Sequence, residues 1–178
     1  MWAMTYPAAV IICSDRAAAQ VYEDRSGPIA ASALETAGFT VAHRVIVPDD
    51  PEQIRQAIWD AVVTAGARVV VTSGGTGVSP TDVTVEVTRE LITYELPGLM
   101  EEVRRRGSQI QPLALLSRGV AGVLVFDDAK RALVINAPGS RGGVRDTMAV
   151  VGPLLTHIVE QLDGADHDMT LPDSAPHP

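Results

Sequence analysis

The most chemically suggestive part of the sequence is a loop of glycine and hydroxyl residues that follows an apolar run. Residues 69–82 read VVVTSGGTGVSPTD, in which Gly74, Gly75, Thr76 and Gly77 come shortly after a β-branched segment. Glycines let backbone N–H groups approach an anion closely, and neighbouring hydroxyl groups add donors. The loop is therefore suited to binding phosphate. A tight turn between a strand and a helix, with no ligand, is the alternative that these residues leave open.

Two common phosphate-binding motifs do not fit this loop. No Lys-Ser or Lys-Thr pair follows the glycines, as a P-loop requires, and Pro80 stands at the third glycine of a dinucleotide-binding fingerprint. The first predicted strand, where that fingerprint belongs, is followed instead by Ser-Asp-Arg. An oxidoreductase of the Rossmann type is therefore disfavoured.

Aspartates stand beside two of the predicted strand ends. Asp82 closes the glycine loop, and Asp49 and Asp50 follow the second predicted strand. Each could serve as the N-cap of the helix that follows it. A carboxylate beside a phosphate site repels the phosphate unless a cation lies between them, and Mg²⁺ is the usual cation in such sites. The residues leave both roles open.

The net charge of the chain bears on whether these aspartates cap helices or bind Mg²⁺. The formal net charge is -8, and Lys130 is the single lysine among 14 basic residues. A broad nucleic-acid-binding surface is therefore not expected. A polyanion would have to be bound locally, through backbone N–H groups, a few arginines or a bound cation. Mg²⁺ would meet this need without a phosphate-binding lysine.

Hydrophobic periodicity predicts alternating strands and helices in the first half of the chain. Short apolar or alternating runs predict strands at residues 8–14, 39–47 and 68–72. Between them, the spacing of apolar residues predicts one helix from Ser26, acting as N-cap, to Gly38, and a second over residues 51–66. The order β-α-β-α-β predicts a parallel sheet with right-handed crossovers.

The second half of the chain is also predicted to contain helices and strands, but two of its strands form a β-hairpin. Helices are predicted near residues 83–93 and 97–107, and two apolar runs around the turn DDAK predict a β-hairpin. A last helix is predicted over residues 142–162, with a kink at Pro153. No repeat or linker is visible, so the chain is predicted to be one α/β domain over residues 1–164. Residues 165–178 are expected to form a flexible tail.

Polar loops follow three of the predicted strands, at residues 14–17, 73–82 and 136–143. In an open parallel sheet the ligand crevice lies beyond the carboxyl ends of the strands, so these loops should face the same side. Gly139 and Ser140 would present N–H groups at the positive end of a helix. Arg141 and Arg145 could add positive charge there or could be solvated. The LLSRG segment, residues 115–119, is either part of the site or a turn.

The single cysteine and the first apolar run indicate the kind of environment in which the protein is expected to be found. Cys13 is the only cysteine, so no disulfide can form within the chain, and a buried structural thiol is expected. The first apolar run has no basic segment before it and is too short for a signal peptide or a membrane span. We therefore expect a cytoplasmic protein that binds no membrane.

Seven segments, taken together, resemble one known family. They are CSDRA, EDRSGP, VPDD, TSGGTGVSPTDVT, ELPGL, LLSRGVAG and INAPGS, in this order and spacing. They are similar to the molybdopterin adenylyltransferase family, which includes bacterial enzymes and homologous G domains of plant and animal molybdenum-cofactor proteins. The resemblance covers roughly residues 8 to 162. Its most specific part is the pairing of Gly-Gly-Thr-Gly with a downstream Asp-Val-Thr.

The resemblance implies a doubly wound, three-layer αβα fold with a mostly parallel sheet. It also implies a homotrimer that transfers AMP from Mg-ATP to the terminal phosphate of molybdopterin and releases pyrophosphate. The resemblance also suggests other proteins of the molybdenum-cofactor pathway as partners. A non-catalytic molybdopterin-binding or scaffold protein of the same fold is the alternative.

The resemblance further implies roles for individual residues. Asp49 and Asp82 match the family's two essential acidic residues and would bind Mg²⁺. Gly74, Gly75, Thr76 and Gly77 would cradle nucleotide phosphates. The remaining nucleotide and pterin contacts would come from Ser14, Ser117, Asn136, Gly139 and Ser140.

Three positions depart from the family pattern. Thr81 stands where the family usually has arginine, Val85 where it usually has proline, and Arg141 where it usually has proline. Arg141 is a candidate to replace the missing arginine. The roles of Arg16, Arg118 and Arg141 stay open at this level.

Overall fold

The computed structural model describes residues 5–128 and 130–165, which form a six-stranded sheet between two layers of helices. The sheet order is β2-β1-β3-β6-β5-β4. The strands are β1 (Pro7–Cys13), β2 (Thr40–Val47), β3 (Val69–Ser73), β4 (Tyr94–Glu95), β5 (Ala121–Phe126) and β6 (Lys130–Ala137). Strands β2, β1, β3 and β6 pair in parallel, whereas β5 pairs antiparallel with β6 and with β4. The predicted parallel sheet and hairpin are confirmed.

Seven α-helices flank the sheet in the described residues. They are α1 (Asp15–Ala18), α2 (Ser26–Thr36), α3 (Pro51–Trp59), α4 (Thr84–Leu91), α5 (Pro97–Ser108), α6 (Arg141–Val151) and α7 (Leu155–Leu162). Helix α3 continues as a π-helical turn, Asp60–Thr64, and Gly66 follows it with a φ of +69°. A 3₁₀ turn at Gly152–Leu154 separates α6 from α7. The predicted kink at Pro153 is confirmed, because a proline inside a helix removes a backbone donor.

Two apolar layers hold the sheet. On one face, Val10, Val71 and Ile135 lie in a cluster with residues of α2, α5, α6 and α7. On the other face, Ile11 and Val134 lie in a cluster with residues of α3 and α4. Alternate residues of a strand point to opposite faces, so strands such as β1, buried on both sides, are apolar throughout. The three-layer αβα architecture is confirmed.

The sheet order places a candidate ligand site. From β1 the chain passes to β2 on one side and then returns to β3 on the other. The carboxyl ends of β1 and β3 therefore face a topological switch point, where open α/β sheets bind their ligands. This is the edge of the sheet that carries the predicted polar loops.

Several local features differ from the sequence-based expectation. Residues 14–17 were predicted to be a loop, but Ser14 is the N-cap of α1 and accepts from the N–H of Ala17 at 3.2 Å. Ser26 does not cap α2, because Arg25 stands at the N-cap and the carboxylate of Asp24 accepts from the N–H groups of Ser26 and Gly27, at 3.0 and 2.9 Å. Strand β4 and the 3₁₀ turn Pro112–Leu116 were not predicted, since each is too short to show a period.

The predicted domain, residues 1–164, and the predicted flexible tail, residues 165–178, stay predictions. Residues 1–4, 129 and 166–178 lie outside the described residues. None of the helices formed by the described residues is long and apolar enough to cross a membrane.

Candidate active site

A polar cavity of about 270 Å³ opens at the switch point. Six of its lining residues were predicted from the sequence: Ser14, Asp49, Gly74, Gly75, Asp82 and Gly139. Five others were not: Ile12, Cys13, Tyr22, Asp24 and Ser26. The last lining residue, Ser73, is one of the hydroxyl residues of the predicted phosphate-binding loop. Loops that follow β1, β2, β3 and β6 thus meet in one place, as the parallel sheet requires. A larger cavity of about 510 Å³ lies between α2 and α6, but Arg145 is its only charged lining residue.

The glycines after β3 are required by the backbone. Gly74 and Gly75 have φ values of +102° and +66°, which favour glycine because a Cβ atom is strained there. A Cβ on Gly74 would also collide with the carbonyl oxygen of Cys13, and one on Gly75 would collide with the hydroxyl of Thr84. The loop therefore packs closely on the end of β1 and the start of α4.

This loop leaves backbone donors unused. In the described residues, the N–H groups of Gly75, Thr76 and Gly77 form no hydrogen bond, whereas the N–H of Gly74 donates to the carbonyl of Ala137 at 3.1 Å. Successive free N–H groups are suited to an anion. Gly74 thus has a structural role, and the free donors begin at Gly75.

Asp82 folds back over the glycine loop rather than capping the next helix. One oxygen of its carboxylate, Oδ2, accepts from the N–H of Ser79 at 3.0 Å. Helix α4 begins two residues later, at Thr84, and its N-cap, Val83, offers no side-chain bond. The alternative in which Asp82 caps this helix is therefore wrong, and the carboxylate lines the cavity.

The neighbouring residues Asp49 and Asp50 have different partners. Asp50 is the N-cap of α3 and accepts from the N–H of Gln53 at 2.9 Å. Asp49 instead forms a reciprocal pair with Asp15, in which each carboxylate accepts from the other's N–H, at 3.1 and 2.8 Å. The other Asp49 oxygen, Oδ1, is buried and has no hydrogen-bond partner. The capping role thus falls to Asp50 alone.

The surroundings of Asp49 disfavour its negative charge. Burial raises the pKa of this carboxyl group above its usual value, and the negative charges of Asp15 and Asp82 raise it further, although the hydrogen bond from the Asp15 N–H opposes this. A carboxylate with an unpartnered buried oxygen and like charges nearby would be stabilised by a cation.

The donor set fits Mg²⁺ held together with a phosphate ligand. In the part of the chain that the structure describes, no group of three or more His, Cys, Asp or Glu side chains could hold a metal ion. Mg²⁺ is usually bound by one or two carboxylates, several waters and substrate phosphates rather than by an all-protein cage. Asp49 and Asp82, which line the same cavity, could supply those two carboxylates.

Five predicted site residues do not line this cavity. Thr76 is buried, and its hydroxyl accepts from Ser117 at 3.3 Å. Gly77 lies against Asp82, since a Cβ there would be 2.7 Å from the carboxylate. Ser140 caps α6 by accepting from the N–H of Gly143 at 3.0 Å.

The fifth of these residues, Asn136, lies in the core. Its side chain is fully buried and donates to the hydroxyls of Thr72 and Thr88, at 3.0 and 2.9 Å. Its amide oxygen accepts from the N–H of Val120 at 3.3 Å. These bonds join β3, β6 and α4, so the structure does not bring Asn136 to the cavity surface.

Three of the residues that sequence reasoning missed, Tyr22, Asp24 and Ser26, come from the connection between β1 and the first turn of α2. The hydroxyls of Tyr22 and Ser14 lie 3.1 Å apart, and the guanidinium of Arg16 lies over the Tyr22 ring. Ser26 donates to the carbonyl of Gly139 at 2.8 Å, which joins this segment to the loop after β6. The SDRA and EDRSGP segments were the available signal, but no period or motif showed which of their side chains face the cavity.

Cys13 lines the cavity but has little nucleophilic character. Burial raises the pKa of its thiol to about 12, which the nearby Thr84 hydroxyl partly opposes and the charge of Asp49 reinforces. The expected buried, structural thiol is confirmed.

Arg141 lies beside this site rather than in it. It lines a neighbouring cavity of about 290 Å³, which shares Tyr22, Ser26 and Gly139 with the first. Thr81 is exposed and lines neither cavity. Arg141 therefore does not line the cavity that holds Asp82, and it shares neither of these two cavities with Thr81.

Comparison with known proteins places the chain in a family. Residues 9–157 match the family model described as a probable molybdopterin binding domain. The chain is 33% identical over 158 residues to the molybdopterin adenylyltransferase of Pyrococcus furiosus, which covers 88% of this chain and 90% of that protein. It is 37% identical over 160 residues to a molybdenum cofactor biosynthesis bifunctional protein of Synechococcus elongatus, covering 90% of this chain. The chain spans about half the length of that relative, 48%.

The fold agrees with this relationship. The molybdopterin biosynthesis Mog protein from Mycobacterium ulcerans superimposes with a TM-score of 0.81 at 39% identity, covering 92% of this chain and 100% of that chain. The match of family model, sequence and fold extends over the strands and loops that form the polar cavity. The chain belongs to the molybdopterin-binding domain family of molybdenum cofactor biosynthesis proteins.

Proposed function

We propose that this protein transfers AMP from Mg-ATP to the terminal phosphate of molybdopterin and releases pyrophosphate. One observation carries the proposal: two carboxylates, Asp49 and Asp82, line the same cavity as a glycine loop with free N–H groups. The relative from Pyrococcus furiosus bears the name molybdopterin adenylyltransferase, which supports this reaction.

The proposed reaction needs little from the protein beyond position and charge. A phosphate oxygen of molybdopterin attacks the α-phosphorus of ATP, the bond from that phosphorus to the bridging oxygen of the β-phosphate breaks, and pyrophosphate leaves with the electron pair. The attacking phosphate is already ionised, so no general base is required. This fits a cavity whose twelve described lining residues include no histidine and no lysine.

The two carboxylates would have distinct positions around a Mg²⁺ ion bound with the nucleotide. Asp49 is fixed from the end of β2 by its pairing with Asp15, and Asp82 is fixed by the N–H of Ser79. The ion would neutralise phosphate charge and orient the reacting groups. The N–H groups from Gly75 onward would bind phosphate oxygens, as the phosphate-binding interpretation of the loop requires.

The proposal also covers the oligomeric state of the protein, its location in the cell and its partners. We propose a homotrimer in the cytoplasm, with ATP and molybdopterin as substrates and other proteins of molybdenum-cofactor synthesis as partners. Family resemblance supports each of these points. Sedimentation of the purified protein at micromolar concentration would test the trimer, and a stable monomer there would contradict it.

A non-catalytic molybdopterin-binding protein is the second candidate. It is favoured by one observation: the cavity that holds Asp49 and Asp82 has no arginine or lysine in its lining, and Thr81 stands where the family usually has arginine. Such a protein would bind the pterin but have lost nucleotide chemistry.

One assay separates the two candidates. Purified protein is incubated with molybdopterin and Mg-ATP, and both pyrophosphate and adenylylated molybdopterin are measured, with matched samples that lack the pterin or contain excess EDTA. We expect equal amounts of both products in the complete mixture and neither in the two controls. Binding of molybdopterin without product formation would contradict the proposed reaction and support the non-catalytic role.

A further inference from the structure

We infer that Arg118 is a positioning residue that binds the glycine loop at Thr76, Gly77 and Asp82 and holds it in the shape needed to bind phosphate. This inference rests on the function proposed above, and it gives a role to a residue outside the cavity that holds Asp49 and Asp82. Arg118 belongs to the segment between the 3₁₀ turn Pro112–Leu116 and β5.

The contacts of Arg118 reach the middle and the end of the loop. Its backbone N–H donates to the carbonyl of Thr76 at 2.8 Å, and its Nε donates to the carbonyl of Gly77 at 2.7 Å. Its Nη2 donates to the carbonyl of Asp82 at 3.0 Å. One residue therefore binds two parts of a loop that has few side chains of its own to pack.

The guanidinium is itself held in place from a second element. Glu86, in the first turn of α4, forms an ion pair with Nη1 of Arg118, and its second carboxylate oxygen lies 3.4 Å from Nη2. The hydrogen bond from Arg118 lowers the pKa of the Glu86 carboxyl group, so the pair stays charged at neutral pH. The planar guanidinium can serve Glu86 and two carbonyls together because its donors point in fixed, different directions.

The segment that carries Arg118 is also fixed. Arg104 of α5 donates to the carbonyls of Ser117 and Gly119, at 3.3 and 3.0 Å, on both sides of Arg118. The hydroxyl of Ser117 donates to that of Thr76. The donor groups of Arg118 are thus presented by a supported backbone rather than by a free loop.

These contacts act on the groups that the proposed reaction uses. Arg118 binds loop carbonyls, and the free N–H groups of Gly75, Thr76 and Gly77 lie on the same short stretch of backbone. The bond to the carbonyl of Asp82 also restrains the residue whose carboxylate is a candidate Mg²⁺ ligand. Without the guanidinium, the loop would lose two charge-assisted bonds and would sample other shapes.

Two variants separate this role from that of a simple surface ion pair. Arg118→Lys keeps the charge but lacks the planar set of donors. The double variant Arg118→Glu with Glu86→Arg can form the ion pair in reverse, but a carboxylate at position 118 cannot donate to the carbonyls of Gly77 and Asp82. Arg55→Lys is the matched control, because Arg55 forms an exposed ion pair with Glu90 of α4 away from the loop.

Three measurements are made on each variant: hydrogen exchange of the amides of Ser79, Asp82 and Thr84, which donate to groups of the loop, the kinetic constants for Mg-ATP, and the dissociation constant for molybdopterin without nucleotide. For Arg118→Lys and for the double variant we expect amide exchange about 10-fold faster or more, and kcat/KM for Mg-ATP about 10- to 100-fold lower. We expect the affinity for molybdopterin to change less than about 2-fold, and the Arg55→Lys control to match the wild type in all three.

Other results would overturn the inference. Unchanged loop exchange in Arg118→Lys would show that the guanidinium does not hold the loop. Recovery of exchange and of kcat/KM in the double variant would show that only the ion pair matters. Failure of the proposed function is distinguishable, because a wild-type protein without AMP-transfer activity would still show whether loop exchange depends on Arg118.

Discussion

The loops that follow β3 and β6 contain similar residues but have different structures. Both leave the carboxyl ends of adjacent parallel strands, and both contain glycine and hydroxyl groups. The loop after β3 has two glycines with positive φ, packs on β1 and α4, and ends in an aspartate that caps no helix. In the loop after β6, Ser140 caps α6, and Gly139 is the residue that reaches the cavity.

The difference shows which polar groups remain available to a ligand. In the loop after β6, the hydroxyl of Ser140 is used for a standard helix start. In the loop after β3, the N–H groups of Gly75, Thr76 and Gly77 have no partners in the described structure. In the described residues the N–H groups of Gly139 and Ser140 are also without partners, so unused donors do not separate the two loops. The β3 loop differs in its close packing on β1 and α4, which the positive φ of Gly74 and Gly75 allows, and in the Asp82 carboxylate, which caps no helix.

The largest expected effect is on Asp82. We predict that Asp82→Asn lowers AMP-transfer turnover by about 100-fold or more, since an amide is a much weaker ligand for Mg²⁺ than a carboxylate. The amide oxygen can still accept from the N–H of Ser79, so the circular dichroism spectrum and Tm should stay close to those of the wild type. Turnover and thermal unfolding are measured for each variant. Asp60→Asn is the control, because Asp60 begins the π-helical turn outside the cavity, and an asparagine oxygen there can still accept from Gln56. Undiminished turnover would show that the Asp82 carboxylate has no metal role.

The next effect compares a glycine of the loop after β3 with one in the first turn of α6, the helix that follows the β6 loop. We predict that Gly75→Ala lowers the free energy of unfolding by about 2 kcal/mol or more, because alanine is strained at its φ and would meet the Thr84 hydroxyl. Gly142, in the first turn of α6, has open space around it, so Gly142→Ala should be neutral or stabilising by up to about 1 kcal/mol. Urea unfolding measures both. Equal losses at the two positions would remove the contrast between the loops.

The smallest effect concerns Ser140. We predict that Ser140→Ala lowers the free energy of unfolding by about 1 kcal/mol through loss of the cap, while kcat/KM changes less than about 3-fold. Ser140→Asp should restore the stability, because aspartate also caps well. A much larger loss of kcat/KM in both variants would instead support the predicted contact of Ser140 with the substrate.

The order of strands and helices could be predicted because their patterns are local. The apolar run of β1 and the single apolar stripe of α3, with Ile54, Ala57 and Ile58 buried, are visible in the sequence and confirmed in the structure. The two-residue strand β4 was missed because it has no period of its own and forms only by pairing with β5.

The site was predicted less completely because its details depend on distant residues. Asn136 follows an apolar run in the sequence, as a ligand-binding residue would, but it lies within β6 and its amide donates to Thr72 and Thr88, which are 64 and 48 residues away. Asp50 alone caps α3, because Asp49 is paired instead with Asp15, at a separation of 34 residues. Sequence spacing alone contains no signal for such pairings.

The most direct test of the account compares these two neighbouring aspartates. The same change, Asp49→Asn and Asp50→Asn, is made at each, and formation of adenylylated molybdopterin from Mg-ATP is measured with pyrophosphate release. We predict that Asp49→Asn loses about 100-fold or more of its turnover, whereas Asp50→Asn stays within about 2-fold of the wild type, because asparagine caps a helix as well as aspartate does. Equal activities in the two variants would contradict the claim that the Asp49 carboxylate at the cavity carries the reaction.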